Sequence, residues 1–149
     1  MKWILFSDLD GSLLNHEDYS FAEARPVLDR LRREGIPLIL VSSKTRAEVE
    51  ALQEEIGLSM PFIVENGGGI YFPRGCRGIP FGPGAEREPY FAIHLGTSYG
   101  EVREFVRRAQ PRIRLRGFGD MTAEEVARLT NLPVERARLA KEREFSEPF

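Results

Sequence analysis

The stretch WILFSDLDGS, residues 3–12, decides the fold class of this chain. Four apolar residues, Trp3 to Phe6, show no helical spacing and lead directly into small and acidic residues. An unbroken apolar run is typical of a strand that is buried on both faces in a parallel sheet. A second run, Ile36 to Val41, ends in small polar residues in the same way. We therefore predict two buried parallel strands.

A helix is predicted after each of these strands. Ser20 and Glu23 form a capping-box pattern, and apolar residues then recur at helical spacing as far as Gly35. Thr45 and Glu48 repeat the pattern, with a stop at Gly57 and a third strand over residues 62–64. This alternation predicts a doubly wound, Rossmann-like α/β sheet.

The chain becomes rich in proline and glycine between Pro73 and Pro89, and we place a lobe boundary near residue 82. Residues 1–82 are predicted to form the N-terminal part of a core, and residues 83–149 the first part of an inserted α+β cap lobe. The predicted elements of the cap are a strand over residues 90–94, a helix capped by Ser98 and Glu101, a strand near residues 113–115, a helix capped by Thr122 and Glu125, and a last helix from Pro133 to about Lys141.

Composition narrows the class of protein. A hydrophobic fraction of 42% and a charged fraction of 30% are typical of soluble globular chains. No apolar run approaches the ~20 residues that cross a bilayer, and no signal peptide is evident. A net charge of -2 favours neither nucleic acid nor an anionic membrane as a partner. The single cysteine, Cys76, fits a cytoplasmic setting.

The strongest chemical signal is Asp8-Leu9-Asp10-Gly11-Ser12, which follows the first strand. Ligands bind at the carboxyl ends of strands in open α/β sheets, and Gly11 allows a sharp turn there. Two carboxylates that face one space favour a cation, and oxygen ligands beside a phosphate suggest Mg²⁺. We predict that Asp8 attacks phosphorus and that Asp10 transfers protons. The alternative is a solvated acidic turn.

Two further strand ends carry candidate ligand-binding residues. Ser42, Ser43 and Lys44 stand at the start of the second helix and are predicted to bind phosphate, although an ordinary helix cap would use the same residue types. Asn66, Gly67 and Gly68 follow the third strand, where glycine allows a ligand to approach the backbone, unless the run is simply a loose turn.

These strings together resemble the haloacid dehalogenase phosphatases that carry a large cap after the third strand. Two later strings, residues 117–127 and 143–149, resemble the mannosyl-3-phosphoglycerate phosphatase family. The resemblance implies Asp8 as nucleophile and Mg²⁺ ligand, Asp10 as acid/base and as a ligand through its carbonyl, and a hydroxyl of Ser42 or Ser43 on the phosphate. It places Asp120, Thr122, Arg143 and Glu147 in the cap, as candidate contacts to the sugar or glycerate.

The same resemblance implies a later lysine and a later acidic segment, and neither is found before Phe149. We therefore expect the C-terminal part of the core to be absent from this chain, which leaves the first strand at an exposed edge that could pair in a dimer. The acidic string of residues 119–124 is not taken as the missing segment, because Thr122 and Glu125 form a capping box.

The remaining polar residues receive structural interpretations. Arg103, Arg107 and Arg108 are predicted to form a solvated helix face, and His16 and His94 have no metal-spaced partner. Arg112, Arg114 and Arg116 alternate along a predicted strand and could present one basic face to an acidic substrate or to nucleic acid, which is a weaker hypothesis.

The predicted function is Mg²⁺-dependent hydrolysis of a small phosphorylated sugar or glycerate, with mannosyl-3-phosphoglycerate as the substrate that the resemblance implies. The alternative is a receiver-like or degenerate module that binds phosphate without turnover.

Overall fold

The computed structural model describes residues 3–15, 19–75 and 84–149, with the side chains of residues 85–87 excepted. The strands are β1 (Leu5–Ser7), β2 (Leu38–Val41), β3 (Phe62–Val64), β4 (Gly69–Pro73), β5 (Ala85–Arg87) and β6 (Tyr90–His94). The helices are α1 (Arg25–Glu34), α2 (Arg46–Ile56), α3 (Tyr99–Ala109), α4 (Ala123–Thr130) and α5 (Val134–Ala140). His16, Cys76 and the predicted boundary at residue 82 lie outside the described residues.

The strands form one six-stranded sheet in the order β1-β2-β3-β4-β6-β5. The first three strands are parallel, and β4, β6 and β5 extend the sheet in antiparallel pairs. The predicted α/β class is confirmed. Since β1, β2 and β3 are parallel, their carboxyl ends meet at one edge of the sheet.

The core lies on one face of this sheet. Leu40, Phe62 and Tyr71 are neighbours in register on successive strands, and all three are fully buried. The rings of Phe62 and Tyr71 stack with centroids 5.4 Å apart. Val49 and Leu52 of α2 belong to the same buried cluster. Each large side chain buried in this way contributes about 1.5–3 kcal/mol, so the cluster fixes α2 against the sheet.

β1 lies at the edge of the sheet and pairs only with β2. Trp3 is 73% exposed and Phe6 is 60% exposed, so the burial predicted from the apolar run is wrong. The physical reason is the strand order, because β2 is the only described strand that pairs with β1. The expected position of β1 at an exposed edge of the sheet is confirmed.

Most predicted helix boundaries are confirmed. Gly35 and Gly57 end α1 and α2 in the left-handed conformation, with φ of 64° and 66°. Thr45 with Glu48 and Thr122 with Glu125 form reciprocal capping boxes. The capping box predicted at Ser20 is wrong, because α1 begins at Arg25 and Ser20 Oγ accepts the N–H of Ala22 in a turn. Pro26, next to the start of α1, fits a first-turn position.

The structure of the second half of the chain corrects one expectation and leaves another untested. β6 pairs with β4 from Gly69↔His94 to Pro73↔Tyr90, so one sheet continues on both sides of residue 82. The division into a core and a cap at that point stays a prediction. The strand predicted near residues 113–115 is wrong, since this segment has no strand conformation and Ile113 is exposed. Alternating side chains form a strand only where a partner strand accepts the backbone bonds.

Candidate active site

The loop after β1 presents two aspartates on either side of a buried leucine. Leu9 is fully buried, and its carbonyl accepts the N–H groups of Ser12 and Leu14 at 3.2 and 2.8 Å. Gly11, with φ of 69°, allows the tight return of the chain. Asp8 and Asp10 are both exposed, and Asp8 Oδ1 accepts the N–H of Leu9 at 2.7 Å. The loop therefore holds two carboxylates next to the end of the strand.

The loop after β2, residues 42–45, is called the phosphate loop below. Ser42 is buried, and its Oγ accepts the N–H of Lys44 at 3.1 Å. Lys44 Nζ lies 3.0 Å from Asp10 Oδ1, with 17% of the lysine side chain exposed. Tyr19 places its ring 5.2 Å from the same Nζ. The predicted phosphate-binding lysine is therefore held against the predicted acid/base.

The loop after β3 is tied to the phosphate loop by backbone hydrogen bonds. Glu65 N–H donates to the Lys44 carbonyl at 3.0 Å, and Asn66 N–H donates to the Ser42 carbonyl at 3.1 Å. Glu65 and Asn66 have φ of 49° and 57°, which is unusual for residues with a side chain. The bonds across the two strand ends offset the strain of this turn.

These three loops surround an open cleft of 460 Å³. Its described lining includes Asp8, Ser42, Ser43 and Asn66. The four residues were predicted from three separate strings of sequence, and the parallel strands bring them together at one edge of the sheet. A nucleophilic carboxylate and hydroxyl groups around one cleft are suited to a phosphate ester.

The predicted cap residues Asp120, Thr122 and Glu147 are not among the described residues that line this cleft. Thr122 accepts the N–H of Glu125 in the capping box of α4. The Glu147 side chain is 1% exposed, and its Oε1 accepts hydrogen bonds from Gly119 N–H at 2.7 Å and from Arg103 Nη1 at 3.1 Å. Their predicted contact with substrate stays a prediction.

Arg103 joins Asp120 to Glu147. Its guanidinium donates to both carboxyl oxygens of Asp120 and is the largest cause that holds the pKa of Asp120 below its usual range. Burial, followed by the neighbouring Glu147 carboxylate, raises the pKa of Tyr99. The side chain of Arg103 is only 15% exposed, so its assignment to a solvated helix face is wrong. The predicted solvated face is confirmed for Arg108, which pairs with Glu104 at i,i+4.

Arg143 lies beside the phosphate loop. Its Nη2 donates to the Ser43 carbonyl at 3.0 Å, and its Nε lies 3.3 Å from Glu65 Oε2. We did not predict Glu65 as a functional residue, although it opens the Glu65-Asn66-Gly67-Gly68 string and follows a strand end. Its position after a strand end could have marked it as a functional residue, but its partners lie some eighty residues further along the chain.

The glycines after Asn66 permit a close approach, and Phe145 makes it. A β-carbon at Gly68 would lie 2.6 Å from Phe145 Cβ, and one at Gly69 would lie 2.7 Å from Phe145 Cε2. Gly67 continues the turn with φ of 94°. His94 contacts the same ring at a centroid distance of 5.1 Å, which supports the structural interpretation of this histidine.

The donor set at the cleft is suited to a hard cation. Among the residues that the structure describes, no cluster of three or more Asp, Glu, His or Cys side chains is present that could hold a metal ion. Asp8 and Asp10 offer oxygen donors, and Mg²⁺ commonly binds one or two carboxylates while it keeps several water ligands. The residues therefore fit a water-rich Mg²⁺ site in which this chain supplies part of the coordination.

Residues 5–75 match the family described as haloacid dehalogenase-like hydrolase. Over 97% of the length of the chain the fold is similar to a crystal structure from Thermotoga maritima, with a TM-score of 0.59 and 15% identity, and the match covers 54% of that structure. This likeness supports the fold alone.

Two curated relatives match nearly the whole chain. A Persephonella marina protein named glucosyl-3-phosphoglycerate/mannosyl-3-phosphoglycerate phosphatase is 53% identical over 98% of this chain and 54% of its own length. A Pyrococcus furiosus protein named mannosyl-3-phosphoglycerate phosphatase is 38% identical over 97% of this chain and 58% of its own length. The chain thus spans a little over half the length of these relatives.

Helix length and polarity give no indication of membrane insertion: across residues 3–15, 19–75 and 84–149, none of the helices is long and apolar enough to span a bilayer.

Proposed function

We propose that the protein hydrolyses phosphate monoesters through an aspartyl-phosphate intermediate. The observation that carries this proposal is the cleft in which Asp8 meets Ser42, Ser43 and Asn66 at the carboxyl ends of β1, β2 and β3. The match of residues 5–75 to a hydrolase family and the names of the relatives support the reaction class.

Asp8 and Asp10 divide the chemistry between them. A carboxylate oxygen of Asp8 attacks phosphorus, the P–O bond to the substrate alcohol breaks, and Asp10 gives its proton to the leaving oxygen. Asp10 then removes a proton from water, and the water oxygen attacks the phosphorus of the aspartyl phosphate. This second displacement releases inorganic phosphate and frees the Asp8 carboxylate. Both side chains are exposed, so that an ester and water can reach them, and Asp8 lines the cleft while Asp10 is not among its described lining residues.

The phosphate loop binds the transferring group. Ser43 is exposed, Ser42 is buried with its hydroxyl oxygen accepting Lys44 N–H, and both line the cleft. A hydroxyl donor from either residue and the Lys44 ammonium offset the negative charge on the phosphoryl oxygens. Lys44 is held near the proposed reaction by Asp10, since its Nζ lies 3.0 Å from Asp10 Oδ1.

Mg²⁺ is the proposed cofactor, held by the Asp8 carboxylate and the Asp10 carbonyl. When bound, it supplies positive charge that offsets the charge of the phosphate and of the two aspartates.

The proposed substrate is mannosyl-3-phosphoglycerate, which would give mannosylglycerate and phosphate in the cytoplasm. The proposal rests on the names of the two relatives and not on a contact in the cleft. Candidate residues for the sugar and glycerate are those predicted from the sequence: Asn66, Gly67, Gly68, Asp120, Thr122, Arg143 and Glu147. Arg143 is the nearest of the cap candidates to the phosphate loop, through its bond to Ser43.

The test is the rate of phosphate release by Asp8→Asn and Asp10→Asn in the full-length protein. Asp8→Asn should lose on the order of 10³-fold or more of kcat, because an amide cannot replace the nucleophile. Asp10→Asn should lose about 10²–10⁴-fold, the usual worth of general acid–base catalysis. Asp29→Asn is the control, since this half-buried residue contacts Arg32 on α1, away from the cleft lining.

Activity of Asp8→Asn within a few-fold of the parent would contradict the nucleophile assignment. A parent protein that takes up one phosphate per chain without continued release would instead support the receiver-like alternative.

A further inference from the structure

Glu65 is a buried carboxylate whose partners come from a distant part of the chain. Its residue is 3% exposed, and its oxygens accept the backbone N–H groups of residues 144, 145 and 146 at 2.8, 3.1 and 2.8 Å. The hydroxyl of Ser146 also donates to it at 2.6 Å. Residues 143–146, called the anchor segment below, are therefore fixed to the loop after β3.

The anchor segment reaches the phosphate loop at a second point. Arg143 Nη2 donates to the Ser43 carbonyl at 3.0 Å and to Ser146 Oγ, while its Nε forms an ion pair with Glu65 Oε2 at 3.3 Å and makes no hydrogen bond with any described residue. Only 7% of the Arg143 side chain is exposed. The guanidinium is therefore oriented by Glu65 and holds the backbone at a predicted phosphate-binding serine.

The backbone of Glu65 completes this connection. Its N–H donates to the Lys44 carbonyl, and the next N–H, that of Asn66, donates to the Ser42 carbonyl. The backbone of Glu65 thus contacts the phosphate loop, and its carboxylate contacts the anchor segment, whose Arg143 binds the Ser43 carbonyl. A fully buried carboxylate is costly unless several donors compensate it, and here each donor belongs to this connection.

We propose that Glu65 is a positioning residue for phosphate binding: its carboxylate fixes the anchor segment, and the anchor segment sets the position of the phosphate loop. This inference rests on the proposed function. Glu65 touches neither substrate nor metal in it, and acts through Arg143 and the backbone of Ser42 to Lys44. A displacement of catalytic groups by about 1 Å can cost on the order of 10²-fold in rate, so small movements of the loop are sufficient.

The experiment compares Glu65→Gln with the matched control Glu55→Gln in the full-length protein. Gln keeps the size of the side chain but replaces one acceptor oxygen by an NH₂ group. Glu55 makes an exposed ion pair from α2 to Arg136 of α5 and lies outside the connection. Glu65→Gln should lower kcat/KM about tenfold or more on both mannosyl-3-phosphoglycerate and a simple aryl phosphate, and should weaken inhibition by inorganic phosphate. The control should stay within about twofold.

A loss confined to mannosyl-3-phosphoglycerate would overturn the proposal, because it would indicate a contact to the sugar or glycerate. Activity of Glu65→Gln within twofold of the parent would also overturn it. If Glu65→Gln fails to fold, Arg143→Lys replaces it, since this variant keeps the charge and the anchor amides but loses the fork that reaches Ser43. Equal losses on both substrates are again expected. Unchanged activity contradicts the proposal, and so does a loss confined to mannosyl-3-phosphoglycerate, which would indicate that Arg143 contacts the sugar or glycerate.

Hydrogen exchange separates this inference from the proposed function. In Glu65→Gln the amides of residues 144–146 and the Asn66 amide should all exchange faster than in the parent, whatever reaction the protein catalyses. Faster exchange only in residues 144–146 would show that the anchor segment does not control the phosphate loop. If the parent protein has no phosphatase activity, the proposed function is refuted. The hydrogen-exchange comparison still tests whether Glu65 positions the phosphate loop.

Discussion

Replacement of Arg103 by methionine should destabilise the protein at neutral pH far more than a surface arginine replacement does. Methionine keeps most of the apolar stem of the side chain, so the loss is electrostatic. The variant leaves Glu147, whose side chain is 1% exposed, without a cationic partner and with the Gly119 N–H and the Tyr99 hydroxyl as neighbouring donors. Asp120 keeps donors from Gln110 and Gly117. Glu147 therefore dominates the cost.

The expected magnitude is about 3 kcal/mol, the lower end for a buried ion pair that loses one partner. This corresponds to a change of about 150-fold in the folding equilibrium. With an m value of about 2–3 kcal/mol/M in urea, the midpoint should fall by about 1–1.5 M. Arg108→Met is the control, since Arg108 is 72% exposed and its i,i+4 pair with Glu104 is worth at most about 0.5 kcal/mol.

The difference between parent and Arg103→Met should narrow in acid. Arg103 lowers the pKa of folded Asp120, so this pairing stabilises the folded state above the ordinary aspartate pKa of about 3.9. The contribution is lost as the pH falls from there through the lower folded pKa. Urea unfolding of the full-length protein at pH 7 and pH 3.5 measures both effects. A cost below about 1 kcal/mol at pH 7, or one equal to that of Arg108→Met, would refute the reasoning.

Four further outcomes are expected. EDTA should abolish phosphate release and Ca²⁺ should inhibit it, because Ca²⁺ takes more and looser oxygen ligands; full activity in excess EDTA would exclude the metal mechanism. Residues 1–149 expressed alone should release phosphate much more slowly than ~10 per second, since they offer Mg²⁺ two ligands; a rate near that value would contradict this. Any dimer of residues 1–149 that pairs through β1 should dissociate in Phe6→Lys, as measured by light scattering; a dimer that persists does not use this edge. Gly68→Ala should destabilise the fold by about 1–3 kcal/mol because of the contact with Phe145, whereas a neutral result would show that the ring can move.

Sequence reasoning succeeded where the deciding interactions are local or follow from strand order. The capping boxes at Thr45 and Thr122 join residues three positions apart, so a short pattern contains both partners. The cleft was predictable because carboxyl ends of parallel strands meet, which brings Asp8 to Ser42 without knowledge of any side-chain contact.

Sequence reasoning failed where a distant partner decides the environment of a residue. Arg103 has the spacing of a solvated helix face, but its partner Glu147 is 44 residues away. Glu65 was not singled out from the sequence, because the amides that it binds lie 79 to 81 residues further on. The predicted strand near residue 113 failed for a related reason, since a one-dimensional pattern does not reveal whether a partner strand is available.

The ring of Phe145 against the glycines has a consequence for the evolutionary record of this fold. Added β-carbons at Gly68, Gly69 and Gly96 would each come within 3 Å of Phe145, so the four positions share one fixed volume. A lineage that gains a side chain at any of these glycines must lose bulk at position 145 or move the segment that carries it. Aligned homologues should therefore show correlated changes at these positions, which are distant in the chain but compete for the same space.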